Sequence, residues 1–272
     1  MQTLEDQRAA GKQVLLITNS DWTYTRDIMA YAVDPHCPPG RTWRDLFDIV
    51  IVAANKPRFF SGADQLYRVV DEAQALMLPH RGALESGHVY FGGNARLLEQ
   101  ALALHSGQLL YVGDHLFGDV HVTKDILRWR TTLISRELEA EILGALDFAE
   151  HEEELITLMR DKVALDRRQA RLRMERERTE TRDRELGREL DRVTARAIRL
   201  DEKIAPLAKA AAELGNPVWG PLMRAGNDKS LFARQVEKYA DAYTSRVSNL
   251  RFETPYAYLR AARGSLPHDQ AR

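Results

Sequence analysis

Short apolar runs alternate with amphipathic stretches over residues 1–137, and that alternation predicts an α/β fold with a parallel sheet. Val14-Leu15-Leu16-Ile17 reads as a buried strand, and Thr18-Asn19-Ser20-Asp21 then opens a helix with several N-cap candidates. Phe47 to Val52 is a second strand, ending at Asn55-Lys56-Pro57. Val89-Tyr90-Phe91 is a third, followed by Gly92-Gly93-Asn94 and a helix through Leu104. Leu109 to Val112 is a fourth, ending at Gly113-Asp114, and Thr131 to Ile134 is a fifth. Polar and glycine residues gather at the C-terminal ends of these strands, where open α/β sheets place their ligands.

The pattern changes after about residue 138. Residues 151–200 hold 12 acidic and 14 basic side chains, with no proline and glycine only at Gly187. Leu186, Leu190, Val193, Ala197, Leu200 and Ile204 recur at helical a/d spacing. Together with an amphipathic arm from Leu155 to Leu165, this predicts an antiparallel helical hairpin with its tip near Glu175–Arg184; a single long helix is the alternative. Mixed-sign charge at this density reads as a solvated face. Beyond Gly215-Asn216-Pro217 the chain turns aromatic, with a predicted helix over Arg234 to Val247 and a turn at Thr254-Pro255-Tyr256. Trp219, Phe232, Tyr239, Tyr243, Phe252, Tyr256 and Tyr258 lead us to expect this tail to pack on the first region. The expected organisation is therefore a core over 1–137, a hairpin over 138–212 and a tail over 213–272.

Composition narrows the functional classes. The formal charge of −1 in 272 residues offers no basic field for nucleic acid, and no apolar run is long enough for a membrane helix. The single cysteine, Cys37, excludes an intramolecular disulfide and fits a reducing cytoplasm. The first residues, Met1 to Asp6, lack the basic and apolar regions of a signal peptide and read as helix turns leading into a strand. A chain opening within an α/β unit suggests a piece of something larger.

Three strand exits carry candidate chemistry. Gly113-Asp114-His115-Leu116-Phe117-Gly118-Asp119 places two carboxylates on one loop, where both can approach a hard cation such as Mg²⁺. The same residues also suit a helix N-cap and a first-turn acid. Thr18 and Asn19 offer a hydroxyl and an amide beside a helix N-terminus, a small phosphate cradle or a plain cap. Lys56 can neutralise phosphate charge, or sit solvated.

In this order the three elements resemble motifs II, III and IV of the haloacid dehalogenase superfamily. Leu16 to Asp21, Asn55-Lys56-Pro57-Arg58-Phe59-Phe60, Tyr111 to Asp119, Val89 to Gly93, Trp129-Arg130-Thr131 and Leu231 to Asp241 together look like the cytosolic purine 5′-nucleotidase family. The resemblance implies an incomplete Rossmann-like parallel sheet with an inserted helical hairpin and a helical C-terminal tail. It implies Mg²⁺-dependent hydrolysis of purine nucleoside 5′-monophosphates to nucleoside and phosphate. Thr18 with Asn19 would bind the phosphoryl group, and Lys56 would hold its charge. Asp114 would ligate Mg²⁺, with Asp119 as a further ligand or as an orienting group behind it. Phe117 lies where a family effector nucleotide stacks, although an anchoring role for the loop explains it equally well. His115 has no role we can derive.

One part of the family pattern has no counterpart. Its first motif, Asp-x-Asp after the first strand, supplies the aspartate nucleophile and a general acid–base. Nothing upstream of Thr18 matches it, nor is there room for the substrate-selecting cap. Asp147 and Asp241 fall in predicted helices, and Asp34-Pro35-His36 lacks the second acid. In the family's sheet that first strand lies between the strands ending at Thr18 and Asp114, so its absence would leave backbone groups unpaired on both neighbours. The expectation is a truncated or split form, inactive alone, that needs a partner chain for the missing strand or forms a homo-oligomer. The competing expectation is a non-catalytic, nucleotide-binding regulatory subunit.

Overall fold

The computed structural model describes residues 1–178, 184–214, 216–226 and 228–260. They divide into two compact units, residues 1–136 with the segment from Ala233 onward, and residues 137–232. Residues 213–232, joined to the tail by composition, therefore cluster with the hairpin.

The first unit is an α/β fold built on two sheets. Along the chain run α1 (Gln2–Ala9), β1 (Leu15–Ile17), α2 (Trp22–Val33), β2 (Ile49–Val52) and α3 (Arg58–Ser61). Next come β3 (Leu66–Asp71), β4 (Leu76–Pro79), β5 (Val89–Gly92), α4 (Ala95–Leu102), β6 (Leu110–Gly113) and β7 (Arg130–Ile134). One sheet has the order β1-β2-β5-β3-β4, parallel through β1, β2 and β5 and antiparallel beyond. All five predicted strands form; the β3–β4 hairpin adds two that the apolar pattern does not announce.

Period-two alternation in β1 and β2 feeds two cores. Ile49 and Ile51 point into a cluster with Phe59, Phe60, Tyr90, Leu98, Tyr111 and Trp129, against which Leu15 and Ile17 pack. Val50 and Val52 face Trp22, Trp43, Val69 and Val89, with Leu16 beside them. All four residues of β2 are buried, as expected for a strand covered on both faces.

The second unit begins with α5 (Leu138–Asp147), α6 (Ala149–Arg178) and α7 (Arg184–Ala212). Lys162–Asp201 and Gln169–Thr194 contacts set α6 and α7 antiparallel, so the hairpin, not a single long helix, is what forms. The tip expected near Glu175–Arg184 falls in part on residues 179–183, which lie outside the described residues. Leu190 and Val193 of the predicted seam are buried against Leu172, and Ala197 and Ile204 are buried further along. A two-residue ribbon, β8 (Arg224–Ala225) with β9 (Asp228–Lys229), follows, and the Glu141 carboxylate accepts from the backbone of Leu222 and Met223.

The chain then forms α8 (Leu231–Tyr239) and β10 (Ala242–Thr244). The predicted helix over Arg234–Val247 thus ends at Tyr239, and Asp241 lies between the two elements. The reason is electrostatic: the buried Asp241 carboxylate accepts from Lys124, Arg130 and the Thr131 backbone N–H, which draws the chain alongside β7. β10 completes a second, wholly parallel sheet of order β10-β7-β6. Trp219, Tyr243, Phe252, Tyr256 and Tyr258 are exposed; the tail is held by buried Ala233, Val236 and Ala240, by the Tyr239 ring against His121, and by the Tyr258 hydroxyl accepting from Arg130.

The two sheets share the Ile49–Tyr111–Trp129 core, but no strand among the described residues joins them. Their edges there are β1 and β6, the two strands that the family resemblance sets either side of its first strand. Asp48 N–H bonds to Val14 and Thr18 N–H to Ile51, so alternate residues 14, 16 and 18 face β2. The backbone groups of Leu15 and Ile17 therefore face the open side. Arg130 N–H bonds to Leu109, which in the same way turns Leu110 and Val112 outward from β6.

Candidate active site

The exits of β1, β2 and β6 bring most of the candidate residues together. Asp21, not Thr18, caps α2 by accepting from Tyr24 N–H at 2.8 Å. Thr18 is released from capping; its Oγ accepts from Ser20 N–H at 3.1 Å and its own proton remains available.

The loop after β2 is stitched to this first loop. Ala53 N–H bonds to Ser20 and Ala54 N–H to Thr18, at 2.8 and 2.9 Å. The Asn19 side chain spends both its groups on Lys56, accepting from its N–H at 2.5 Å and donating to its carbonyl at 3.0 Å. Ala53 and Asn55 sit at φ 48° and 58°, left-handed conformations costing about 1–3 kcal/mol each that such bonding must hold in place. Asn19 thereby positions the Lys56 backbone, and the second N–H of its exposed amide is left over.

Lys56 reaches across to β6. Its Nζ lies 2.9 Å from Asp119 Oδ1 and donates to the Tyr111 hydroxyl, also at 2.9 Å. Tyr111 in turn donates to Asp119 Oδ1 at 3.3 Å, and His115 N–H donates to Oδ2 at 3.2 Å. Burial pushes the Tyr111 phenol well above its ordinary pKa, and the Asp119 carboxylate beside it adds to the shift. Asp119 is buried within wide π-helical turns over Leu116–His121. Gly113 is required by proximity: a Cβ there would stand 2.4 Å from that of Asp119.

The two candidate metal ligands consequently differ. Asp114 is exposed and makes no hydrogen bond or ion pair among the described residues, leaving an oxygen donor for a hard cation. Asp119 is buried and paired with Lys56, with both its oxygens engaged. No cluster of three or more His, Cys, Asp or Glu suited to a metal occurs among the described residues. Asp114 fits Mg²⁺ as a single protein carboxylate, with phosphate, water or another chain completing the shell. His115 braces the loop, its Nδ1 accepting from Gly118 N–H at 2.8 Å.

Phe117 is exposed and apart from this group. Its ring meets His121 edge-on at 5.3 Å, and His121 stacks on Tyr239 at 3.9 Å. Clefts of about 370 and 380 Å³ lie elsewhere, one lined by Arg96, Glu99 and His105, the other by Leu4, Met29 and Phe47. With Asn19, Asp114 and His115 exposed, the site forms an open rim. Sequence reasoning missed Tyr111, because inside a strand it reads as core; its only signal is a hydroxyl at a position where Phe would fill the space.

With this geometry in place, comparison with known proteins is informative. The model of the 5′ nucleotidase family matches residues 1–271. Over 134 residues the chain is 38% identical to human "5'-nucleotidase domain-containing protein 2", covering 49% of this chain and 25% of that protein. The rat protein of the same name is also 38% identical over 134 residues, covering 49% and 23%. The chain spans about a quarter of the length of these curated relatives.

Proposed function

Because this chain belongs to the 5′ nucleotidase family, we propose that it forms the phosphate- and Mg²⁺-binding side of a haloacid-dehalogenase-type nucleotidase acting on purine nucleoside 5′-monophosphates. The observation that carries this reading is the convergence of Thr18, Lys56 and Asp119 at neighbouring strand ends, with Asp114 free on the same loop. The reaction breaks the bond between phosphorus and the ribose 5′ oxygen; water supplies the oxygen that phosphate gains and the proton that the nucleoside gains.

In this reading the Thr18 hydroxyl donates to a phosphoryl oxygen, and the Lys56 ammonium offsets the charge gathering there. Asn19 keeps the loops carrying these two groups in register. Mg²⁺ held by Asp114 supplies further charge neutralisation when bound. The nucleophilic carboxylate comes on a β-strand from another polypeptide segment, seated between β1 and β6, whose outward backbone groups can pair with it. A cytoplasmic setting accords with the lone cysteine, and the described residues hold no helix long and apolar enough to cross a membrane.

A second reading is nucleotide binding without hydrolysis. The engagement of Asp119 with Lys56, Tyr111 and His115 favours it, since that leaves Asp114 as the unpaired carboxylate on its loop.

The test is phosphate release from IMP, GMP and UMP with Mg²⁺, by the chain alone and with an alternating apolar peptide ending in Asp-x-Asp. Release only with peptide, faster for IMP and GMP than for UMP and lost in Asp114→Asn, is the expected result. Release by the chain alone would place the nucleophile within these residues and sink the strand requirement. IMP binding that depends on Lys56 without any turnover would select the second reading, and no binding at all would discard both.

A further inference from the structure

The buried phenol of Tyr111 lies between the two charged side chains at the centre of the site, in a place where a phenylalanine would pack as well. Its ring stands edge-on to Phe60 at 5.0 Å and tilted against Trp129 at 6.4 Å, contacts that need no hydroxyl. The oxygen nevertheless makes two hydrogen bonds, accepting from Lys56 and donating to Asp119. A buried hydroxyl is costly unless paired, so these bonds define its orientation.

The ammonium of Lys56 has three N–H donors. One goes to Tyr111 and one to Asp119, and the side chain retains 17% exposure. The third donor is left for the open rim. Asp119 alone would neutralise Lys56 but would let the ammonium pivot about a single contact; a second acceptor, braced by aromatic packing, removes that freedom.

We infer that Tyr111 is a positioning residue, fixing the Lys56 ammonium so that one N–H faces the rim beside Thr18 and Asp114. The inference rests on the proposed reading only in taking phosphate as what that N–H meets.

Competitive acetylation of the full chain, read lysine by lysine by mass spectrometry, tests the positioning directly. Lys56 is expected to react severalfold more slowly than exposed Lys209, whose side chain is 76% exposed. Tyr111→Phe should bring Lys56 toward the Lys209 rate, whereas Phe60→Leu, which alters only packing around the same ring, should not. Affinity for inorganic phosphate should fall about threefold to tenfold in Tyr111→Phe, the span of one hydrogen bond.

Equal rates for Lys56 and Lys209 in the wild-type chain would overturn the inference, as would an unchanged Lys56 rate in Tyr111→Phe or an equal rise in Phe60→Leu. Should Tyr111→Phe prove insoluble, nuclear Overhauser contacts between Lys56 ammonium protons and Tyr111 in the wild type decide it: their presence supports the positioning and their absence ends it. Phosphate affinity unchanged in Lys56→Met would instead discard the phosphate reading, while acetylation still judges Tyr111.

Discussion

At Gly113 the reason for glycine is a carboxylate, not a turn. A methyl group there overlaps Asp119 at 2.4 Å, and Asp119 has little freedom because both its oxygens are bonded. Gly113→Ala should therefore destabilise the chain by about 1–3 kcal/mol, measurable by urea titration, and should loosen Lys56 in the acetylation assay. Asp241 makes a different case. Burial opposes its charge, but the Lys124 hydrogen bond, the Thr131 N–H and Arg130 outweigh that and hold its pKa below the ordinary 3.8. A depressed folded pKa means stability that is present above 3.8 and lost as pH falls through the lower folded value. Melting temperature should thus drop on acidification below about pH 4 in the wild type, and more shallowly in Asp241→Asn. A steeper acid loss in the variant would assign that stability elsewhere. The placement of Thr18, Lys56 and Asp114 at strand exits was legible because each follows an apolar run. The bonds from Asn19 to the Lys56 backbone were not legible, because sequence shows a polar group without showing the backbone partner it meets.

Elements were legible where the pattern was strong and hidden where a side chain replaced the usual signal. The turn of the β3–β4 hairpin, Glu72-Ala73-Gln74-Ala75, holds no glycine or proline. The Asp71 carboxylate builds it instead, accepting from Ala73 and Gln74 N–H at 2.9 and 3.0 Å, with Ala75 at φ 52°. The overrun of the last predicted helix has a similar origin, since Ala240-Asp241-Ala242 suits a helix and only the distant cations at Lys124 and Arg130 reveal the break. In the hairpin, by contrast, a/d spacing alone located the seam. Leu172 and Leu190 meet there at 7% and 8% exposure, so Leu172→Ala should cost about 2–3 kcal/mol, the lower part of the range for buried leucines. Far-ultraviolet circular dichroism should show an earlier helical transition in urea. Fluorescence from Trp22, Trp43 and Trp129, all buried in the other unit, should keep its midpoint if the two units unfold separately. A common shift of both signals would show that they unfold as one.

For the whole molecule, the decisive feature is a core shared by two sheets that exchange no backbone hydrogen bonds among the described residues. Edge strands tend either to be covered or to recruit a partner. Neither β1 nor β6 carries the charges or proline that discourage pairing: their sequences are Leu-Leu-Ile and Leu-Tyr-Val-Gly. Their polar groups alternate in direction, so hydrogen exchange should alternate as well. In the chain alone, the N–H groups of Leu16, Thr18 and Tyr111 should exchange slowly, while those of Leu15, Ile17, Leu110 and Val112 exchange quickly. Adding the Asp-x-Asp peptide should slow the second set without altering the first, because a strand between the edges bonds only to the outward groups. Protection of Leu15 and Ile17 that rises with chain concentration, without peptide, would mean that a second copy covers the edge. Protection independent of both would mean that the edges are already closed within the chain, and the strand requirement would fall with them.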